Sequence, residues 1–404
     1  MVSGIFPSMT TVKTLLLIDN TAHHLYTQAH LYKNFSEHDY KIILCCPNDN
    51  NYFKKMQDQG YMCQHISMDS KGLNPIKELL VLINMFKIFK RLQPDLIFSF
   101  TIKPNIYSSL INKILKVPVV PNVTGLGYVF IKKQLILTKF IVLLYKFTFK
   151  NLPIVIFQNE EDLVLFNNLG ISSGFLNLSG DGIDLNKFSS NVKLAGSGVD
   201  LVKFPYDEAT LINGGEKAKI LGNIIFLYAG RFLWDKGIGE LVEAYKIVKN
   251  KYPSAKLKFA GNYYPGNPAA ISQEQMQIWQ DTVGVEYLGM VDDMATVIKN
   301  VDCVVLPSYR EGVPRIILEA SSMGCFVITT DTAGCRDTVD DNVTGFLCKL
   351  KDAVDLSDKM IKFIELPLIQ KINMRIAGRK KMEKEFDQNM VINKYLEIAK
   401  VILK

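Results

Sequence analysis

Several things are scarce in this sequence, and each scarcity removes a class of function. Histidine occurs only in the first 65 residues (His23, His24, His30, His38, His65), without metalloprotease spacing, and no D-x-D tripeptide occurs anywhere. No ligand set for a protein-held catalytic metal is therefore expected. The first strand-like run is followed by DNTAHHLYTQ, which has no glycine, so the G-x-G-x-x-G turn of a dinucleotide-binding domain is missing. A G-x-x-x-x-G-K-[ST] loop is also absent, which argues against an ordinary P-loop hydrolase. Apolar runs are interrupted by lysine before they reach the ~18–20 uncharged residues of a spanning helix. The start, MVSGIFPSMTTVKTLLLID, lacks the pattern of an export signal. Seven cysteines, an odd number without C-x-x-C, sit in contexts such as DCVVLPS and GCFVITT. They read as reduced core thiols of a cytosolic protein.

What is present is a chain of 404 residues, 48% apolar and 10% aromatic, enough for two domains at roughly 100–200 residues each. The net charge of +7 is too mild for a dedicated nucleic-acid binder, and no nucleic-acid partner is expected. It is unevenly placed: residues 1–150 hold 18 Lys/Arg against 8 Asp/Glu, while residues 206–404 hold 26 of each. The first half thus favours an anionic surface or partner.

Short β-branched runs alternate with helix-length segments along the whole chain. Expected strands are Thr14–Ile18, Lys41–Cys46, Asp95–Phe100, Val117–Pro121 and Ile154–Phe157, then Ile224–Ala229, Lys256–Ala260, Val283–Leu288, Cys303–Leu306 and Phe326–Thr330. The rhythm is that of α/β domains with parallel sheets covered on both faces, here two Rossmann-like units in tandem. The linker falls in 170–222, where SGDGIDLNKF (179–188) is nearly duplicated by AGSGVDLVKF (195–204). The expected division is 1–205, 206–388 and a terminal amphipathic helix in 389–404.

The sharpest local signal is SYREGVPRIILEASSMG (308–324). Glu311 follows a strand, Pro314 is pre-set for a helix start, and the amides near Arg315, Ile316 and Ile317 would face an anion with the helix dipole behind them. Glu319, more than a turn into the helix, suits hydroxyl-rich groups, because carboxylates bond hydroxyls strongly. Strand 224–229 runs into Gly230-Arg231, and Lys236 follows before the next helix. Two cations at the C-terminal edge of a sheet can neutralise a diphosphate and stabilise it as a leaving group. The joint pattern fits a nucleotide-diphosphate sugar.

Through AGRFLWDKG (229–237), FAG (259–261), YLGMVDDM (287–294) and EGVPRIILE (311–319), the second half resembles the nucleotide-binding domain of the family 4 retaining glycosyltransferases of GT-B fold. The first half resembles the branch of that family that builds bacterial surface polysaccharide, O-antigen or capsule, through FSFTIKPNIYSSL (98–110), PNVTGLGYVF (121–130) and IFQNEEDLVLF (156–166). GSGVDLVKF (196–204) and TDTAGCRDTVDDNVTGFL (330–347) match as well.

The resemblance implies two facing Rossmann-like domains with a cleft between them. It further implies transfer of a sugar, with retention, from a UDP-linked HexNAc, hexose or uronic acid, with neither metal nor other cofactor. The acceptor would be a saccharide on polyprenyl diphosphate, reached from the cytoplasmic face of the inner membrane. By position, Arg231 and Lys236 would bind the diphosphate, Glu311 the sugar hydroxyls and Glu319 the ribose. The backbone of Gly230, Gly312, Val313, Pro314, Arg315, Ile316 and Ile317 would line the donor. Relatives place a histidine in the N-terminal domain, but PNVTGLGYVF has none; His23 and His24 are the histidines near a strand end. His23, Thr101, Lys103, Thr124 and Gly125 are placed on the acceptor side. Segment Val129–Lys150, with five lysines and no acidic residue, reads as an interfacial helix in which Lys132, Lys133 and Lys139 meet anionic headgroups. Two other readings are a nucleotide-sugar epimerase and a non-catalytic membrane-attached assembly protein.

Overall fold

The computed structural model describes residues 12–69, 74–125, 135–171, 191–193 and 224–404. The duplicated segments 179–188 and 195–204 and the expected boundary at 205/206 lie outside the described residues.

The first half alternates β1 (Thr14–Ile18), α1 (Ala22–Thr27), α2 (Ala29–Glu37), β2 (Lys41–Cys46), α3 (Tyr52–Asp58), β3 (Met62–His65), α4 (Pro75–Leu92), β4 (Leu96–Phe100), α5 (Ile102–Leu115), β5 (Val119–Val123), α6 (Leu135–Phe149), β6 (Val155–Phe157), α7 (Glu160–Asn168) and β7 (Asn191–Lys193). The second half continues with β8 (Ile225–Ala229), a single 3₁₀ turn at Trp234–Lys236, α8 (Ile238–Lys251), β9 (Lys256–Ala260), α9 (Gln273–Val283), β10 (Glu286–Tyr287), α10 (Met294–Lys299), β11 (Cys303–Leu306), α11 (Arg315–Ser322), β12 (Phe326–Thr330), β13 (Phe346–Cys348), α12 (Ala353–Glu365), α13 (Leu368–Glu385) and α14 (Gln388–Ile402).

The strands form two sheets, ordered β3-β2-β1-β4-β5-β6-β7 and β10-β9-β8-β11-β12-β13. Every pairing is parallel. The two-domain α/β architecture expected from the sequence is thus present. In β1 the period-2 alternation sorts the side chains. Leu15 and Leu17 join the core under α1, α2 and α14, while Leu16 and Ile18 join the core under α4, α5, α6 and α7. The second sheet is enclosed by one continuous core that takes in Leu241, Tyr245, Ile317, Met360 and Met382.

The terminal helix α14 returns to the first domain. Val391, Ile392, Tyr395 and Leu396 pack with Leu15 and Phe98. A buried polar chain ties it down: Ser99 Oγ donates to Asn105 Oδ1 (2.8 Å), Asn105 Nδ2 to the Asn122 carbonyl (2.8 Å), and Asn122 Nδ2 to the Tyr395 hydroxyl. Such groups are costly to bury unless each is paired.

In both sheets strand order reverses beside the first strand of the unit, between β1 and β4 and between β8 and β11. Open α/β sheets bind ligands outside the carboxyl ends of strands at such switch points.

Candidate active site between the two sheets

On the second sheet, β8 ends at Ala229 and leaves Gly230 and Arg231 exposed. The Arg231 guanidinium lies 5.5 Å from the centroid of the Tyr264 ring, an arrangement that holds the cation over an aromatic face. Gly237 ends the 3₁₀ turn at φ 70°, and a Cβ there would overlap the Pro307 carbonyl. That close approach sets Lys236 against the loop after β11. Its Nζ lies 2.5 Å from Glu311 Oε1, with both side chains largely withdrawn from solvent. The Glu311 amide in turn donates to the Ala333 carbonyl (3.1 Å).

Helix α11 begins at Arg315 with Pro314 at the N-cap, and neither a side-chain cap nor an acidic residue occupies its first turn. The Ile317 amide donates to the Pro314 carbonyl at 3.0 Å, and the Ile317 side chain is wholly buried. Ile317 is therefore removed from the expected anion-facing set, which reduces to the amides of Arg315 and Ile316. Arg315 Nη2 stands 3.6 Å from Glu319 Oε1 one turn on, while its Nη1 donates to the Thr27 carbonyl of α1 at 3.2 Å.

The first sheet supplies the facing wall. Asp19 follows β1 and is fully buried; its Oδ1 accepts from the Thr21 amide (3.0 Å) and its Oδ2 lies 2.5 Å from His24 Nδ1. His23 packs instead on the Tyr52 ring, with centroids 4.7 Å apart. Burial holds the His23 ring below the ordinary histidine value, aided by the nearby charges of His24 and Arg315. Thr101, between β4 and α5, adopts φ 69° and ψ 168°, a region that is essentially glycine-only and costs about 1–3 kcal/mol for other residues.

The two domains pack closely at Gly312. A Cβ there would overlap the Thr124 carbonyl oxygen and Gln158 Oε1. Around it Asn159 Nδ2 donates to the carbonyls of Glu311 and Gly312, at 3.3 Å each. The Arg310 guanidinium pairs with the fully buried carboxylate of Asp162, and Arg336 with Glu161. The N-terminus of α7 and the E-G-x-P loop are thereby fastened together.

Comparison with known proteins agrees with this geometry. Residues 13–159 match the family described as Glycosyl transferase 4-like, and residues 215–388 match Glycosyl transferases group 1. The chain is a glycosyltransferase, its first half similar to the one family and its second half to the other. It is 28% identical over 371 residues, 90% of this chain and 92% of the relative, to the N,N'-diacetylbacillosaminyl-diphospho-undecaprenol alpha-1,3-N-acetylgalactosaminyltransferase of Campylobacter jejuni. It is 26% identical over 82% of its length to the UDP-Gal:alpha-D-GlcNAc-diphosphoundecaprenol alpha-1,3-galactosyltransferase of Escherichia coli, of which 83% is covered. The structure of Anabaena HepE in complex with UDP-glucose superposes with a TM-score of 0.73 at 16% identity, over 96% of this chain and 99% of the other. That likeness supports the GT-B fold.

In this glycosyltransferase Arg231 and Lys236 follow β8, Lys236 meets Glu311, and Pro314, Arg315 and Glu319 continue from Glu311 into α11, with Thr124 and Gly125 of the first domain against Gly312. Lys103 is engaged within the first domain, its Nζ donating to Glu78 Oε1 and to the Asp69 carbonyl, both at 2.6 Å. Lys132 and Lys133 lie outside the described residues, and Lys139 is exposed on α6. The sequence reading missed Asp19, Asn159, Asp162 and Arg310. Only Asp19 left a signal, as an acid ending an apolar strand. Among the described residues no group of three His, Cys, Asp or Glu side chains is arranged to hold a metal ion.

Proposed function

We propose that this glycosyltransferase moves a sugar from a UDP-sugar, a HexNAc, hexose or uronic acid donor, to a saccharide on polyprenyl diphosphate in surface polysaccharide assembly. It would work from the cytoplasmic face of the inner membrane. The observation that supports the donor half is the Lys236–Glu311 pair just before the uncapped start of α11, with Arg231 at the end of β8. Whole-length similarity to two transferases whose names specify diphospho-undecaprenol acceptors supports the acceptor class.

In this reading Arg231 and Lys236 hold the diphosphate, and the Arg315 and Ile316 amides add the helix dipole. Glu311 accepts from the donor sugar hydroxyls, and Glu319 from the ribose. The acceptor hydroxyl forms its bond to the anomeric carbon on the face from which the diphosphate departs, and the departing phosphate oxygen takes the hydroxyl proton. Configuration is retained, and the protein contributes positioning and charge stabilisation, with no base required.

The test incubates purified enzyme with a UDP-sugar panel and an undecaprenyl-diphosphate-linked saccharide. Nucleoside diphosphate should be released in proportion to glycoside formed. A donor at 100 times its dissociation constant should stabilise the fold by about 2.7 kcal/mol. Glu311→Ala, folded, should lose about 10²–10³ in kcat. Full activity in that variant would overturn the site assignment, and donor turnover without any acceptor would favour an epimerase.

A further inference from the structure

The mechanism above leaves one buried charged pair without a task. Asp19 ends β1 with its carboxylate removed from solvent, and a buried carboxylate is expensive unless paired. Among the described residues its ion-pairing partner is His24. The local sequence fixes that partner: Thr21 caps α1 by accepting from the His24 amide (3.2 Å), which puts the ring in the first helical turn above the Asp19 carboxylate. The edge of the Phe100 ring, 6.3 Å between centroids, confines the imidazole further. With Nδ1 committed to Asp19, the remaining donor is Nε2. The charges that reach the ring from the other domain are both positive, Arg315 of α11 and Arg231 after β8.

Asp19 offsets the charge of His24 and Glu319 that of Arg315, and a ligand anion between the domains would be attracted by these two cations and by Arg231 together. Resting on the donor-site reading above, we infer that His24 is a further donor-contacting residue. Its Nε2–H bonds a phosphoryl oxygen of the donor diphosphate and stays with it as the diphosphate departs, while Asp19 acts as a positioning residue through Nδ1. The interaction is charge-assisted, and it is made only when the two domains are together. It gives the acceptor-side domain its own hold on the leaving group.

The charge state follows from the groups around the ring. Burial opposes the imidazolium, but the field and hydrogen bond of Asp19 outweigh it, and His24 is held above the ordinary histidine value despite Arg315 and Arg231. Its neighbour His23 is pushed the other way by burial, His24 and the same two guanidinium groups, partly offset by Asp49 after β2. His24 is thus the ring that keeps its charge to higher pH than His23 and is discharged as pH rises further.

The experiment measures UDP affinity by calorimetry, with GDP as a second probe, and kcat/KM for transfer. Both are followed from mildly acidic to alkaline pH in the intact enzyme. Wild-type affinity should fall as pH rises through the His24 titration. His24→Gln should bind about tenfold more weakly at neutral pH and lose that pH dependence. His24→Lys should recover most of the affinity with a flat profile, and Asp19→Asn should move the fall to lower pH. If Asp19→Asn does not fold, the two His24 variants decide. His24→Gln with wild-type affinity and an unchanged profile overturns the inference and leaves the transferase reading intact. A wild-type enzyme that binds neither nucleotide overturns both.

Discussion

Gly312 shows how much a single hydrogen can matter where two domains meet. Its missing side chain is the space occupied by the Thr124 carbonyl and Gln158 Oε1, and on its other side a Cβ at Gly334 would overlap the Glu311 and Gly312 carbonyls. Gly125, facing it at φ 137°, also has conformational need of glycine. Gly312→Ala therefore has to push backbone, which cannot swing aside as a side chain would. Overpacking of this kind costs about 1–3 kcal/mol, and here the displacement moves Glu311 and Pro314. The variant is expected to show lower thermal stability together with a drop of tenfold or more in kcat/KM, since small misplacements of reacting groups are strongly felt. Wild-type values for both would mean that the close approach is not required. The placement of Glu311 and its neighbours between a strand and a helix was legible in the sequence because a strand end, a glycine, a proline and an apolar helix face follow in fixed order. The pairing of Asp19 with His24 was not, because it depends on how Thr21 turns the chain.

Elements were legible where apolar patterning was strong and blurred where capping decided the outcome. The strands Thr14–Ile18, Lys41–Cys46, Lys256–Ala260, Cys303–Leu306 and Phe326–Thr330 stand at their expected bounds. The expected strand Val283–Leu288 shrinks to Glu286–Tyr287, because Ser272 caps α9 and Gly284, left-handed at φ 75°, ends it just after Val283. Strand β3, MCQH, lacks a β-branched run and was invisible. The fastening of α7 to the E-G-x-P loop was equally hidden, since Asn159 and Asp162 meet residues about 150 positions later. Asp162 feels burial first, which raises its carboxyl above the ordinary value, with Arg310 and Asn159 opposing. Removing Arg310 as Arg310→Met leaves that carboxylate buried without its counter-charge, a change that costs about 3–5 kcal/mol. Adding Asp162→Asn should recover part of the loss, and denaturant unfolding of the two single variants and the double variant measures the coupling. Additive effects within a few tenths of a kcal/mol would remove the pair from the domain interface.

At the scale of the whole molecule, the uneven charge acquires a location. Helices α4, α5 and α6 cover one face of the first sheet, and their inner residues Met85, Phe89, Ile111 and Tyr145 share a core with Leu16 and Ile18. Their outer residues are not the polar set that such helices usually present. Ile76, Leu79 and Leu80 of α4, Ile114 of α5, and Phe140, Leu143 and Phe147 of α6 are all more than half exposed. Among them stand exposed Lys77, Lys87, Lys90, Lys139, Lys146 and Lys150. Helix α6 has no acidic residue, and the one on α4, Glu78, is taken by Lys103 and Tyr107. No helix among the described residues is long and apolar enough to cross a membrane. Apolar side chains framed by lysines fit an anionic bilayer surface, where each lysine contributes about 1 kcal/mol and the contribution fades within a Debye length of about 8 Å at physiological salt. The enzyme is expected to bind vesicles containing phosphatidylglycerol and to leave purely zwitterionic ones, with added salt weakening the association. Neutralising Lys139, Lys146 and Lys150 to Gln should remove about 3 kcal/mol, more than a hundredfold in affinity. Transfer to a water-soluble acceptor analogue should be unchanged, because these residues stand on the outer helical layer and not at the strand ends. Phe140→Ser with Leu143→Ser should weaken binding even at low salt, separating the apolar contribution from the charged one. Indifference of the wild-type enzyme to anionic vesicles, with lipid-acceptor activity intact after neutralising Lys132, Lys133 and Lys139, would assign the positive first half to ordinary solvation.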